Sequence, residues 1–486
     1  MTNAAATTGA VAPSAERVRH LIAGEWVAGE GADIPVLDKY TLQPFASVSE
    51  PSPRQLQQAV DAAAAAFGRG VPNGHDRGAV LERAAAALAA REEEFIRTMR
   101  REAGFTRSDA SNEIRRSVNT LRLSAEEARR LSGEVIPMEG VAGQAGRMGF
   151  TLRVPLGVVL AITPFNAPLN TVCHKIGPAL AAGNAVILKP SLHTPLTACL
   201  LADVLIEAGV PPGFLSVLHG AGETVRLLQL DQRIRFFAFT GSTEVGRIIQ
   251  QQAGLRRTQM ELGSIAFTIL CDDANLDSAL PKVVNAAYRK AGQVCTSIQL
   301  LLVHEGIAAE VQSRLETMVR ALPFGDPEDA ATVVGPVISE QAARRIEEWI
   351  EEAVAAGARR LVGGPRRGAV VPPTLLAGIQ DTMRVGCSEV FGPVMCIVPF
   401  ATFDEAIARV NATPYGLATG LFTNRLADAF RAARVLQVGG VHINETSSSR
   451  VDVMPYGGSK DSGFGREGPR YAVHEMTEER VVSIAT

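Results

Sequence analysis

The chain has little that would tie it to a membrane, to nucleic acid or to an oxidising compartment. It lacks an uninterrupted apolar run of the roughly 20 residues that span a bilayer, so no membrane partner is expected. It lacks an excess of positive charge: the formal charge is -3 over 486 residues, and no nucleic-acid partner is expected either. Its six cysteines (Cys173, Cys199, Cys271, Cys295, Cys387, Cys396) form no CxxC pair. That argues against a disulfide framework and for a reduced, cytoplasmic setting in which most of them are small apolar fillers. No His/Cys/Asp cluster has metal-ligand spacing, so no metal is expected. A GxGxxG turn after a strand, the common opening of a dinucleotide site, is also missing. Residues 1–15 are small and polar, without a basic stretch leading into an apolar one, and read as a frayed tail, not a signal peptide.

What is present is an ordinary globular composition, 46% hydrophobic and 20% charged, able to bury a large core in about three domain-sized units. The first quarter reads as helical: residues 55–67, 79–96 and 113–131 are rich in Ala, Leu, Glu and Arg. The rhythm then changes. Short apolar runs at 158–162, 185–188, 214–218 and 236–239 alternate with helix-like stretches, and the alternation resumes at 267–271 and 300–304. Runs of that length between helices indicate βαβ crossovers and parallel sheets buried on both faces. The expectation is an α/β fold of two such units in series. Residues 133–153 break the pattern with Gly, Pro and Met, and with the strand-like 480–484 they suit a β extension outside both units.

The chemistry concentrates in a few motifs. Cys295 lies in Gly292-Gln293-Val294-Cys295-Thr296 and Glu261 in Met260-Glu261-Leu262-Gly263. A thiol is a strong nucleophile only as thiolate, and a nearby carboxylate can deprotonate it or activate a water against its adduct. Pro164-Phe165-Asn166-Ala167-Pro168 follows one strand; Phe239-Thr240-Gly241-Ser242 follows another, where Gly241 permits close backbone approach and Ser242 suits a helix cap or a phosphate contact. Lys189-Pro190-Ser191 ends a third strand, and Glu389-Val390-Phe391-Gly392-Pro393 adds a carboxylate. Each has a bland reading too: Cys295 as a filler, Glu261, Lys189 or Glu389 as solvated charges, and Asn166 and Gly241 as ordinary turn residues.

Together, in this order, and with the terminal Pro455-Tyr456-Gly457-Gly458-Ser459-Lys460-Asp461-Ser462-Gly463, these motifs resemble the NAD(P)-dependent aldehyde dehydrogenase superfamily over nearly the whole chain. The resemblance implies two Rossmann-like parallel-sheet domains, one for the cofactor (1–132 and 155–258) and one catalytic (259–469). It also implies a small β oligomerisation extension (133–154 and 470–486) that pairs subunits into a homodimer or homotetramer. Cys295 would add to an aldehyde, Asn166 and the Cys295 N–H would stabilise the oxyanion, and Glu261 would be the general base that releases the acid from a thioester. NAD or NADP would lie along Ile162, Thr163, Pro164, Lys189, Ser191, Leu192, Phe239, Thr240, Gly241, Ser242, Leu262, Glu389 and Phe391.

Two departures bear on this. Members that prefer NAD often carry Glu where Leu192 stands, so repulsion against a 2′-phosphate is lost and NADP should be tolerated. Ser264 replaces a glycine that many members carry after Glu-Leu-Gly. A retained Glu261 argues against transfer of the acyl group to CoA and for a free acid as product. By resemblance the aldehyde is met by Arg116, Asn170, His174, Thr296, Ser297, Thr446 and Arg450, with Val294, Ser447 and Ser448, a small and polar set. It looks most like members acting on lactaldehyde, glyceraldehyde 3-phosphate or phosphonoacetaldehyde. A short polar aldehyde is the expectation. Arg116 and Arg450 suit either a substrate anion or salt bridges within the protein. A dehydrogenase for semialdehydes or aromatic aldehydes, a non-catalytic binding or structural member, and a thiol esterase needing no cofactor are the competing readings.

Overall fold

The computed structural model describes residues 16–485; the tail at 1–15 lies outside them. Two sheets carry the fold. The first has eight strands in the order Gly463–Phe464, Arg257–Glu261, Ile234–Thr240, Val158–Ile162, Ala185–Lys189, Leu215–Val217, His20–Ile22, Glu25–Val27. Its five central strands, from Arg257–Glu261 to Leu215–Val217, run parallel, and both edges are antiparallel. The second has seven, in the order Arg359–Val362, Thr374–Ala377, Val394–Phe400, Ile298–His304, Ala266–Leu270, Ala418–Phe422, Gly440–Ile443, parallel except for Arg359–Val362. Val158–Ile162 and Ala266–Leu270 are buried at every residue, the mark of strands covered by helices on both faces.

The chain passes from the first sheet to the second through a few residues after Glu261, which ends Arg257–Glu261, and returns late, when Gly463–Phe464 pairs with that strand. Ile162, Lys189, Thr240 and Glu261 therefore sit at the carboxyl ends of parallel strands, where open α/β sheets bind ligands. A third, antiparallel sheet joins Val135–Ile136, Arg147–Pro155 and Thr477–Ala485, with Val135, Met148, Leu152, Val481 and Ile484 exposed. Helix Pro469–Glu475, which leads into Thr477–Ala485, packs chiefly on helices Asn170–Ala181 and Arg107–Arg130.

The first quarter differs from the helical expectation. Five strands, Glu16–Val18, His20–Ile22, Glu25–Val27, Asp33–Leu37 and Pro44–Ser49, precede the first helix. They span three to six residues each and several are half exposed, too short for alternation to stand out. The single helix expected over 79–96 is two, Gly74–Ala90 and Glu92–Ala103, broken at Arg91 (φ -102°, ψ 20°). Its Ala and Glu give uniform helix propensity and no local stop signal. Among the described residues no helix is long and apolar enough to cross a membrane, and no group of three or more His, Cys, Asp or Glu side chains is placed to hold a metal ion.

Candidate active site

Cys295 is presented by a turn that follows helix Leu276–Tyr288. Helix Leu276–Tyr288 stops, and Lys290, Ala291 and Gly292 take positive φ of 52°, 53° and 68°. Two consecutive non-glycine residues in that region are strained and persist only where their surroundings over-determine them. Here Lys290 pairs with Glu113, donates to the Asn166 carbonyl at 3.0 Å and stands 4.3 Å over the Phe105 ring. The same Glu113 accepts the N–H groups of Leu169 and Asn170, each at 3.0 Å. One buried carboxylate thus ties the turn that carries Cys295 to the turn that carries Asn166. Gly292 admits no side chain, because a Cβ there would sit 2.0 Å from the Gly392 carbonyl oxygen. That backbone contact locks the Cys295 turn against the Glu389-to-Pro393 loop.

The Cys295 thiol donates to Glu261 Oε1 at 3.1 Å, and the Tyr456 hydroxyl lies 2.9 Å from the same sulfur. Asn166 Nδ2 donates one hydrogen to the Gln293 carbonyl at 2.8 Å, which orients the amide and leaves its second hydrogen for the cavity. The Cys295 N–H has no acceptor among the described residues. Burial pushes the Cys295 thiol well up, and the Glu261 carboxylate adds to it. Burial, then the neighbouring Glu467 charge, raises Glu261, against the pull of Arg450 and Lys175. The resting pair is a thiol beside a carboxylate of raised basicity.

A frame of paired charges surrounds them. Arg450 donates to Glu467 at 2.8 Å and stacks 3.8 Å over the Tyr456 ring; Lys175 holds the other oxygen of Glu467 at 2.8 Å. Arg116 is held by Asp452 at 2.7 Å, and Asp452 also bonds His174 at 3.1 Å. Arg289 differs. Its guanidinium donates to Ser448 Oγ at 2.8 Å, and no carboxylate lies within 4 Å of it among the described residues. Burial pulls its pKa down.

These groups line a cavity of about 350 Å³ that holds Cys295, Glu261, Asn166, Arg116, Asn170, Thr296, Arg289, Arg450 and Tyr456 together. Four of the expected aldehyde contacts lie elsewhere, among them the buried Ser447, whose hydroxyl donates to the Thr296 carbonyl at 2.9 Å. His174 is fully buried behind Asp452 and Thr120, so it supports the wall without forming it. The Ser297 hydroxyl turns back to the Ala286 and Ala287 carbonyls at the end of a helix. Thr446 lines an adjoining polar mouth that also contains Arg115, Arg116, Arg289 and Ser448. Arg289, Lys290, Glu113 and Glu467 were not singled out in the sequence, and Tyr456 stood in a quoted motif without a role. A cation six residues before a candidate nucleophile was the signal available for Arg289.

The cofactor expectation divides between two cavities. Ile162, Thr163, Pro164, Lys189, Ser191, Leu192, Phe239, Thr240, Gly241 and Ser242 line a cleft of about 560 Å³. Leu262, Glu389 and Phe391 line the Cys295 cavity, which shares Pro164, Thr240, Gly241 and Ser242 with the cleft. Ser242 caps helix Thr243–Ala253 through the Val245 N–H at 3.4 Å. Among the described residues the Lys189 ammonium has neither hydrogen bond nor ion pair, and burial lowers its pKa to about 8 against the more distant Glu50. Glu389 accepts the Ser264 N–H at 3.0 Å, and burial raises its pKa to about 7. Leu192 packs against the apolar cluster of Val18, Val36 and Leu196, while Arg226, paired with Glu223, lines the same cleft. A donor without a partner at one end and a buried acceptor at the other fit a dinucleotide with two riboses.

Comparison with known proteins agrees with this geometry. Residues 26–482 match the model of the aldehyde dehydrogenase family. The chain is 45% identical over 460 residues to the 3-sulfolactaldehyde dehydrogenase of Priestia megaterium, covering 94% of this chain and 96% of that one. Aldehyde dehydrogenase 21 of Physcomitrella patens, solved with the reaction product succinate, superposes with a TM-score of 0.94 at 37% identity over 97% of this chain and 98% of its own. The NADP-dependent glyceraldehyde-3-phosphate dehydrogenase of Bacillus halodurans, complexed with NADP, gives 0.94 at 32% identity over 96% and 99%. With a cysteine and a glutamate meeting at the end of a dinucleotide cleft and a family match spanning both sheets, this chain belongs to the aldehyde dehydrogenase family and is an NAD(P)-dependent oxidoreductase.

Proposed function

We propose that the enzyme oxidises a short aldehyde bearing an anionic group to the corresponding carboxylic acid, with Cys295 as nucleophile, Asn166 as oxyanion donor and Glu261 as general base. The observation that carries the substrate class is Arg289: a largely buried guanidinium in the Cys295 cavity, bonded to Ser448 and, among the described residues, without a carboxylate at ion-pair distance, Asp109 acting on it only from farther off. Burying an unpaired cation is unfavourable unless a ligand supplies the counter-charge. Of the other cations of the cavity, Arg116, Lys290 and Arg450 have protein carboxylates, and Arg345 donates to the Glu389 and Val390 carbonyls at the cofactor side. The relatives point the same way, since sulfolactaldehyde, succinate and glyceraldehyde 3-phosphate carry a sulfonate, a carboxylate and a phosphate.

In this reading the thiol proton passes to Glu261 and the sulfur adds to the aldehyde carbon, whose π pair moves to oxygen. The second Asn166 hydrogen and the free Cys295 N–H meet that oxyanion, an arrangement worth about 2.7–4 kcal/mol per donor in comparable sites. Lys189 and Glu389 would hold NAD or NADP, which when bound would supply the acceptor for hydride from the adduct carbon. Glu261 releases the thiol proton to solvent, then takes one from water as the water attacks the thioester carbon, and returns it to the leaving sulfur, which departs as thiol with the acid released. The apolar face of the Arg147–Pro155 and Thr477–Ala485 sheet supports a homodimer or homotetramer built on that extension. Six free cysteines support a cytoplasmic setting.

The test is cofactor reduction with NAD and NADP across sulfolactaldehyde, succinate semialdehyde, glyceraldehyde 3-phosphate, lactaldehyde and hexanal. Cys295→Ala should be silent with all. Arg289→Met should raise KM for the anionic aldehydes by about tenfold or more, the value of a charge-assisted hydrogen bond, and leave lactaldehyde within about threefold. Equal effects on charged and neutral aldehydes would overturn the anionic assignment.

A further inference from the structure

We propose that Tyr456 is a catalytic residue: its phenol donates a hydrogen bond to the Cys295 sulfur, stabilises the thiolate as it forms, and fixes the direction from which it attacks. The inference rests on the reading of Cys295 as nucleophile given above. The geometry assigns the direction of the bond. The thiol has one hydrogen and directs it to Glu261 Oε1 at 3.1 Å, so at the 2.9 Å contact the phenol is the donor. Its two neighbours then divide the work of deprotonation, one taking the proton and the other bonding the anion left behind.

The placement of Tyr456 is fixed more closely than a filler requires. Its backbone exchanges both hydrogen bonds with Glu467, at 3.1 and 2.6 Å. Arg450 covers its ring at 3.8 Å and is itself held by Glu467, which Lys175 anchors from the far side. A phenylalanine would fill the same space and stack equally well under Arg450; what it would lack is the donor.

The sulfur is faced by Glu261 at the end of strand Arg257–Glu261, by Arg289 beyond helix Leu276–Tyr288, and by Arg450 and Tyr456 from the C-terminal loops, with Lys175 and Glu467 behind. Arg289 bonds Ser448 and Arg450 bonds Glu467, and Glu261 opposes an anion on the sulfur. Among these groups the donor that reaches the sulfur is Tyr456. Burial keeps its own hydroxyl protonated well past the usual range, so the donor persists at working pH.

The experiment follows the pH dependence of Cys295 alkylation by iodoacetamide in the full-length enzyme, with the modified peptide identified by mass spectrometry, alongside kcat and KM. In Tyr456→Phe the midpoint should rise by about one unit and kcat should fall about tenfold, with the aldehyde KM within about threefold. Replacing Tyr456 by 3-fluorotyrosine, a stronger donor of nearly the same shape, should move the midpoint down. An unchanged midpoint and kcat in Tyr456→Phe would overturn the proposal. Should that variant not fold, a fluorotyrosine enzyme with an unshifted midpoint would overturn it alone. Turnover that survives Cys295→Ala would remove the nucleophile itself, an outcome distinct from an inert Tyr456.

Discussion

The two ends of the cleft are built from different material. At the cofactor end the walls are strand ends and helix caps from neighbouring βα units, and Lys189 stands unpaired among them. At the aldehyde end charged side chains arrive from well-separated stretches and are matched before any ligand binds: Lys290 with Glu113, Arg116 with Asp452, Arg450 and Lys175 with Glu467. The matched charges are scaffold. They hold a strained turn and a tyrosine in place, and replacing Glu113 or Glu467 leaves its cation partners buried and uncompensated. Lys189 at one end and Arg289 at the other have no such ion pair among the described residues, as the proposed cofactor and anion contacts require. The pairing pattern separates architecture from recognition better than charge alone does.

The contrast breaks most visibly at Glu113. Glu113→Gln keeps the shape but strips Lys290 of its charge partner, so the left-handed turn ahead of Cys295 loses its anchor. Removing one partner of a buried pair costs about 3–5 kcal/mol, to be read from urea unfolding. The misplaced nucleophile should lower kcat by about 100-fold. Stability within about 1 kcal/mol of the parent, with full kcat, would mean that the pairing is incidental.

Lys189→Met probes the opposite kind of cation and should give the opposite pattern. With no protein partner to strand, Tm should hold or rise, because an unpaired buried ammonium is removed. The KM for NAD and NADP should rise about tenfold while kcat stays within about threefold. A large drop in Tm would place Lys189 with the scaffold, and the distinction between the two ends would fail.

The same division explains what the sequence disclosed. Val158–Ile162, Ala185–Lys189 and Ala266–Leu270 are continuous apolar runs because both faces of each strand are covered, and the cofactor cleft follows from where such strands end. The aldehyde end depends on side chains brought together across the chain: Tyr456 meets a sulfur 161 residues away, and Arg116 an aspartate 336 residues away. His174 shows the limit within one element. Every residue of helix Asn170–Ala181 is buried, so no polar face marks which positions point to the cavity, and Asn170 lines it while His174 does not. The Ser297 hydroxyl was lost the same way, since its acceptors, two carbonyls at a helix end, are visible only once the helix is known to stop at Tyr288. The strands before residue 50 escaped because strands of three to six residues carry too few alternations to count.

The smallest effect should come from pH, at the acceptor that Glu389 provides. Burial raises its pKa to about 7, while Arg345 pulls it down and Glu261 pushes it up. Above that value it is a carboxylate and a full acceptor for ribose hydroxyls; below it a proton occupies the site. Cofactor binding to the carboxylate form therefore competes with protonation, and affinity falls as pH falls through about 7. Lys189, near 8, loses its charge on the other side and does not contribute to that slope. The KM for cofactor should rise about three- to tenfold between pH 7.5 and pH 6, the span over which a group of that pKa goes from mostly ionised to mostly protonated. Glu389→Gln should start from a higher KM and show a flat profile over the same range. A slope that persists unchanged in Glu389→Gln would assign the titration to another group, and would leave Lys189 as the polar anchor of the cofactor end.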